Sequence, residues 1–247
     1  MSWFFCLIFF LFGLAVGSFL NCIIYRLEKK QSFLKGRSFC PHCKHTLAWQ
    51  DLIPVVSFLI LKGKCRYCHK KISWQYPLVE LATGIIFLLI FYFQQPIFYF
   101  FITPFLLIIF VYDLKHFIIP DKVIYPAIAI SLIYNLLDWS RFGIDVFLAA
   151  FGAAGFFLVI VLLSKGKWMG VGDIKLAFLM GLILGSPNIL VALFFAFLAG
   201  AIMGIGLIAL SRKSLKSEVP FGPFLVGGTF LAMFCGQSIV EWYLSLI

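Results

Sequence analysis

Apolar runs long enough to cross a bilayer recur along the chain at roughly 3–24, 77–93, 97–112, 123–137, 146–163, 174–185, 189–210 and 221–244. The pattern predicts an all-α membrane protein of about eight transmembrane helices. The first run continues directly into Tyr25-Arg26 and is too long for the apolar region of a cleavable signal, so it is expected to stay as a spanning helix. The sixth is short, with Gly181, Gly185 and Pro187 at its far end, which predicts a tilted helix or one partly buried among its neighbours. Gln94-Gln95-Pro96 and Ser186-Pro187-Asn188 are breaks tight enough to join antiparallel neighbours, and the clusters Gly152-Ala153-Ala154-Gly155 and Ala199-Gly200-Ala201 predict close helix contacts. One long polar interval divides the chain into three expected parts: a first transmembrane helix (1–25), a small loop domain (26–76) and a polytopic membrane domain (77–247).

Composition agrees: 63% of the residues are hydrophobic and only 12% charged, against about a quarter charged in soluble domains. A water-soluble fold is thereby excluded. The net charge of +10 would fit a nucleic-acid binder, but its distribution fits topology better. With an even number of spans, nineteen of the twenty Lys and Arg residues fall on one side, leaving Arg141 for the other. The positive-inside rule then places both termini outside and the basic loops in the cytoplasm, where they also attract anionic membrane lipids. No nucleic-acid partner is expected.

The long loop contains Cys40-Pro41-His42-Cys43 and Cys65-Arg66-Tyr67-Cys68. Two Cys-x-x-Cys knuckles offer four soft ligands for tetrahedral zinc, and a loop of this size has too little apolar material to fold on a core alone. Disulfide pairing and thiol redox chemistry compete with this reading, but a reducing cytoplasm disfavours the first. With four thiolate ligands the metal site is closed, hence structural. His42, His45 and His69 are then bystanders around it, and Cys6, Cys22 and Cys235 are small apolar residues of the spans.

Only ten residues are acidic. Asp113 follows the apolar run Ile108–Tyr112, and Asp173 lies in Gly170-Val171-Gly172-Asp173 at the start of another. A carboxylate at the edge of lipid is costly and therefore marks a functional site. Asp121 stands where a helix N-cap belongs, and Asp173 has the same local explanation before Ile174, although a cap does not require two preceding glycines. If the helices bearing Asp113 and Asp173 pack together, the two carboxyls share a proton. The charged one activates water, while the neutral one polarises a scissile carbonyl and later protonates the leaving amine. Gly170 and Gly172 would let substrate backbone approach, and Lys115 and Lys175 either tune the pair or obey the charge bias.

These features in their order resemble the bacterial type IV prepilin peptidase family, the prepilin leader peptidase/N-methyltransferases. The resemblance covers Gly17-Ser18-Phe19-Leu20-Asn21 with Tyr25-Arg26, the four cysteines, Asp51-Leu52-Ile53-Pro54-Val55 with Ser57, and Tyr76-Pro77-Leu78-Val79-Glu80. It continues through Asp113, Pro120-Asp121, Gly170 to Lys175 and Pro220-Phe221-Gly222-Pro223-Phe224. It implies a multi-pass enzyme of the bacterial inner membrane that cuts the basic leader from type IV prepilins or pseudopilins with Asp113 and Asp173. It further implies methylation of the new amino terminus from S-adenosylmethionine, with Glu80, Asp51 and Asn21 as candidates to shape that pocket or the substrate path. Pili, secretion pseudopili and DNA-uptake (competence) machines are the implied settings. A proton- or cation-coupled transporter with a regulatory zinc loop is the rival for the two aspartates taken alone.

Overall fold

The structure, a computed structural model, describes residues 3–32, 36–137, 143–167, 169–209 and 219–246. Its described elements are helical, apart from two isolated β-bridges. The chain divides into two compact units, Met1–Ile108 and Ile109–Ile247.

The first unit is built on α1 (Trp3–Glu28) and α3 (Gln75–Tyr92), with the start of α4 (Phe98–His116) and the short α2 (Val56–Ile60) in the intervening loop. Gly13 and Gly17 stand four residues apart on α1 and allow its backbone to lie against α3. A Cβ on Gly13 would come within 2.8 Å of the Gly84 Cα, and one on Gly17 within 2.7 Å of the Glu80 Cα. With little hydrophobic driving force between helices in lipid, such close backbone packing is what holds them together. Aromatic rings fill the other end, where Phe9 stacks on Phe91 at 4.3 Å and Phe87 meets Phe100 edge-on at 5.1 Å.

The second unit contains α5 (Asp121–Leu137), α6 (Ile144–Ser164), α7 (Val171–Leu184), α8 (Asn188–Ala209) and α9 (Gly222–Leu244). At its centre is α7, which packs on α5, α6, α8 and α9. Leu176, Ala177, Leu179 and Met180 are inaccessible to solvent. Gly181 brings α7 against the backbone of Ala149 and Ala150 in α6, and Asn135 of α5 donates through Nδ2 to the Leu182 carbonyl at 3.0 Å.

Among the described residues, six helices are long and apolar enough to cross a membrane: α1, α3, α4, α6, α8 and α9. The other two apolar runs form α5, of 17 residues, and α7, of 14. A helix enclosed by protein need not match the bilayer thickness, which explains the brevity of α7. The expectation for small residues needs correction. Added Cβ atoms on Gly152 and Gly155 would meet nothing within 4 Å; the tight contacts are at Gly13, Gly17, Gly181 and, against the Ala192 backbone, Gly228. Gly200 lies against the Phe221 ring instead of a helix backbone. Arg141, the lone basic residue assigned to the opposite face, lies outside the described residues, as do Arg212, Lys213 and Lys216.

Candidate active site and four-thiol module

The loop of the first unit is an internal repeat offset by 25 residues. In the first knuckle the Cys40 N–H donates to the His45 carbonyl and the Lys44 N–H to the Cys40 carbonyl, both at 2.9 Å; in the second, Cys65 N–H donates to Lys70 and His69 N–H to Cys65. The flanking bridges, Phe39 to Thr46 and Lys64 to Lys71, keep the same offset. Lys44 and His69 both adopt positive φ, 61° and 55°, closing equivalent turns. Together the knuckles bring the Sγ atoms of Cys40, Cys43, Cys65 and Cys68 within 4.8 Å of one another, so the cluster could hold a metal ion. The Cys40–Cys68 Sγ separation of 3.9 Å matches the edge of a tetrahedron with metal–sulfur bonds of about 2.3 Å. Burial pushes the Cys40 thiol up, but the backbone N–H groups of Cys43 and His42 and the Cys43 and Cys65 thiols outweigh it, leaving it at about 7.

Asp51 joins the two knuckles. Its carboxylate accepts from Arg66 Nε at 2.7 Å, from the Tyr67 hydroxyl at 3.2 Å and from the Ala48 N–H at 3.2 Å. The His45 ring packs against Tyr67 at a 35° tilt, with ring centroids 3.7 Å apart. The other two candidates for the methyl-transfer pocket are buried at the junction of α1 and α3. Asn21 donates to the Tyr76 carbonyl at 3.0 Å and accepts from Gln75 Nε2 at 3.2 Å. Glu80 accepts the Val55 N–H at 2.7 Å. Val55 is held there at φ 60°, ψ −48°, a costly conformation for a β-branched residue that persists only where its surroundings enforce it.

In the second unit, Asp113 and Asp173 are buried carboxylates, 5% and 8% exposed. Asp173 is the third residue of α7, not its cap. Its Oδ2 turns back to accept the Gly170 N–H at 3.1 Å, and its own N–H donates to the Gly170 carbonyl. A negative group in the first turn also complements the positive helix end. The two glycines have different roles. A Cβ on Gly172 would press on Ile119 at 3.1 Å, whereas one on Gly170 has ordinary room.

Asp113 lies in the last turn of α4, and its Oδ2 accepts the Gly222 N–H, the first residue of α9, at 3.0 Å. Each aspartate therefore takes one N–H from a glycine at a helix start. The two are near enough for the Asp113 charge to act on Asp173. Gly222 is a site residue that sequence reasoning left unassigned; the Pro220-Phe221-Gly222-Pro223 run was the available signal. A Cβ there would stand 2.5 Å from the Asp113 Oδ2. Lys175 points away from this pair. Its Nζ binds Asp121 Oδ1 at 2.6 Å and lies 4.9 Å from the Tyr125 ring centroid. Asp121, expected to cap α5, is instead that helix's first residue and serves as the partner of Lys175.

Six long apolar helices, a buried carboxylate pair on glycine-supported backbone and a four-thiol module define a multi-pass membrane protein with an acid site. The bacterial peptidase A24 N-terminal domain profile matches residues 11–94 and the type IV leader peptidase family profile residues 100–205. The chain belongs to the type IV leader peptidase family. It is 32% identical to a prepilin leader peptidase/N-methyltransferase of Aeromonas salmonicida, covering 100% of this chain and 96% of the relative. Enzymes of the same name are 35% identical in Bacillus subtilis (97% and 98% covered) and 34% identical in Legionella pneumophila (98% and 96%). No solved structure matches the chain.

Proposed function

We propose that this protein removes the basic leader of type IV prepilins or pseudopilins by aspartyl proteolysis and methylates the amino terminus so exposed. The observation that carries the proteolytic part is the pair of buried carboxylates, Asp113 and Asp173, each held by a glycine N–H. Two such groups share one proton: the ionised member takes a proton from water, which attacks the scissile carbonyl, and the protonated member donates to the carbonyl oxygen and then to the leaving amine. They titrate as a unit. Gly170 leaves room for substrate backbone beside Asp173, Gly172 lets the first turn of α7 pack on Ile119, and Lys175, tied to Asp121, braces α7 against α5. Full-length relatives of that name support type IV prepilin processing and lend nothing to the transporter reading.

For topology we read α5 and α7 as the remaining two of eight spans, with both termini outside and the catalytic and four-cysteine loops in the cytoplasm. Zinc suits the four thiols by donor type and spacing. Cys40, Cys43, Cys65 and Cys68 would hold it, and its role there is to fold the loop. The methyl donor, S-adenosylmethionine, supplies an electrophilic methyl group when bound. Of the buried polar groups, the Glu80 carboxylate is suited to deprotonating the incoming amine and the Asn21 amide to orienting it, while Asp51, committed to Arg66 and Tyr67, supports the module around them.

Incubation of the purified protein with a prepilin, followed by intact-mass measurement, tests both activities at once. Leader loss plus one added methyl is the expected spectrum. Asp113→Asn and Asp173→Asn should each abolish shortening in folded protein, and full cleavage by either variant would refute the mechanism.

A further inference from the structure

The short helix α2 has two unlike faces. Phe58 is buried, its ring centroid 5.0 Å from that of Trp74. Val56, Leu59 and Ile60 fall at i, i+3 and i+4, which places them together on another face, and they are 47%, 64% and 71% exposed. Trp49, Leu52 and Ile53 just before the helix are exposed as well. Apolar surface left open on this scale marks a contact with something other than water.

The attachment of α2 shows what covers that face. With 18 residues, α3 is about 27 Å long, against a hydrocarbon core of about 30 Å. As a crossing helix it has no length to spare, so its first turns stand at the membrane boundary. To those turns α2 is fastened twice. The Val55 N–H donates to Glu80, the sixth residue of α3, and Phe58 packs on Trp74, the residue before it. Val55 keeps its costly positive φ in making that bond, so the position of α2 is enforced. An apolar face held at this level meets acyl chains.

Cations border it. Lys62 and Lys64 follow α2 directly, and Lys70 and Lys71 shortly precede Trp74; all four are exposed, and Lys64 and Lys71 are paired across a β-bridge. Asp51 is the one acidic residue in the sequence from 36 to 76, and Arg66 and Tyr67 occupy it. An apolar face edged by tryptophan and lysine suits the interface of a membrane containing anionic lipid.

We propose that α2 is an interfacial anchor, with its Val56–Leu59–Ile60 face among the acyl chains and Lys62 and Lys64 against the headgroups of acidic phospholipids. The inference rests on α3 crossing the membrane and is independent of the aspartate chemistry.

The test uses full-length protein with a photoactivated diazirine amino acid at position 59 or 60, or at Ile85 of α3, 49% exposed, as the lipid-facing reference. Each protein is placed in nanodiscs of equimolar phosphatidylglycerol and phosphatidylcholine, irradiated and weighed intact. Phospholipid adducts should form at 59 and 60 as they do at 85. At position 60 phosphatidylglycerol adducts should exceed phosphatidylcholine adducts about fivefold or more, since each lysine near an anionic surface contributes about that factor. Lys62→Gln/Lys64→Gln should cut this excess at least about fivefold, while continued lipid adducts at position 60 report that α2 is still in place. The charge-keeping Lys62→Arg/Lys64→Arg should preserve the excess. Water adducts alone at 59 and 60, or cross-links there to a second polypeptide, would overturn the anchor. An excess unchanged in the Gln variant, or lost in the Arg variant, would overturn the role of the two lysines.

Discussion

Gly222 and Gly170 hold the two aspartates through backbone N–H groups, so a side-chain substitution tests the bond only where added bulk disturbs it, as it does at Gly222. Gly222→Ala puts a Cβ 2.5 Å from the Asp113 carboxylate oxygen, forcing it off its hydrogen bond. Displacements of about 1 Å in a catalytic group cost on the order of 100-fold in rate. The expected result in steady-state cleavage assays is therefore a drop in kcat of about that size with little change in KM; an unchanged kcat would remove Gly222 from the site. Asp51 offers a pH test. Burial alone would raise its carboxyl, but the Arg66 hydrogen bond and charge and the Ala48 N–H hold it below the ordinary range. A depressed carboxyl stabilises the fold above its unfolded value, about pH 4, and that contribution disappears as pH falls through the folded value. Tryptophan-monitored acid unfolding should be steeper below pH ~4 in the wild type than in Asp51→Asn. Thiol protonation is common to both proteins and cancels in the comparison.

Glycines also mark where helices touch, and the structure separates those that do from those that only resemble them. Gly181 is pressed on the α6 backbone while Gly152 faces open space. Overpacking a close contact costs about 1–3 kcal/mol. Gly181→Val should accordingly lower the unfolding free energy measured in denaturing detergent by that much, and Gly152→Val should leave it within about 0.5 kcal/mol. Gly17→Leu, aimed at the Glu80 backbone, should destabilise α1 against α3 comparably. Small-residue spacing in a sequence picks out one face of a helix but does not say what stands opposite it. That is why Gly152-Ala153-Ala154-Gly155 read as a contact, when of its members it is Ala153 that is buried, together with Ala149 and Ala150 before it. The interior position of α7 was legible by another route: its short run and the Gly181, Gly185 and Pro187 at its far end predicted a helix partly buried among its neighbours, and its Leu176, Ala177, Leu179 and Met180 are fully buried.

Across the whole chain, features set by local sequence were legible: the helical runs, the two knuckles, and Asp113 and Asp173 as carboxylates in unusual company. Partnerships between distant residues were not. Gly222 meets Asp113 across 109 positions and Lys175 meets Asp121 across 54, and neither separation leaves a periodic trace. The 25-residue repeat was present in the letters, where beyond Cys40/Cys65 and Cys43/Cys68 the identities are Ser32-Phe33-Leu34 against Ser57-Phe58-Leu59 and Trp49-Gln50 against Trp74-Gln75, but the matching hydrogen bonds reveal it better than composition. On the proposed zinc-held fold, chelation should open residues 38–72 to protease while the long helices stay folded, with methylation lost before cleavage. Limited proteolysis and intact mass after chelation would show whether the two activities part in that order. The repeat also has a consequence in time. Neither half carries more than two of the four clustered thiols, so during synthesis the first knuckle must wait for the second, about 1–5 s at 5–20 residues per second. Over that interval α1 has already been made, and a nascent chain with two unsatisfied thiols hangs from it, open to oxidation or to the wrong metal.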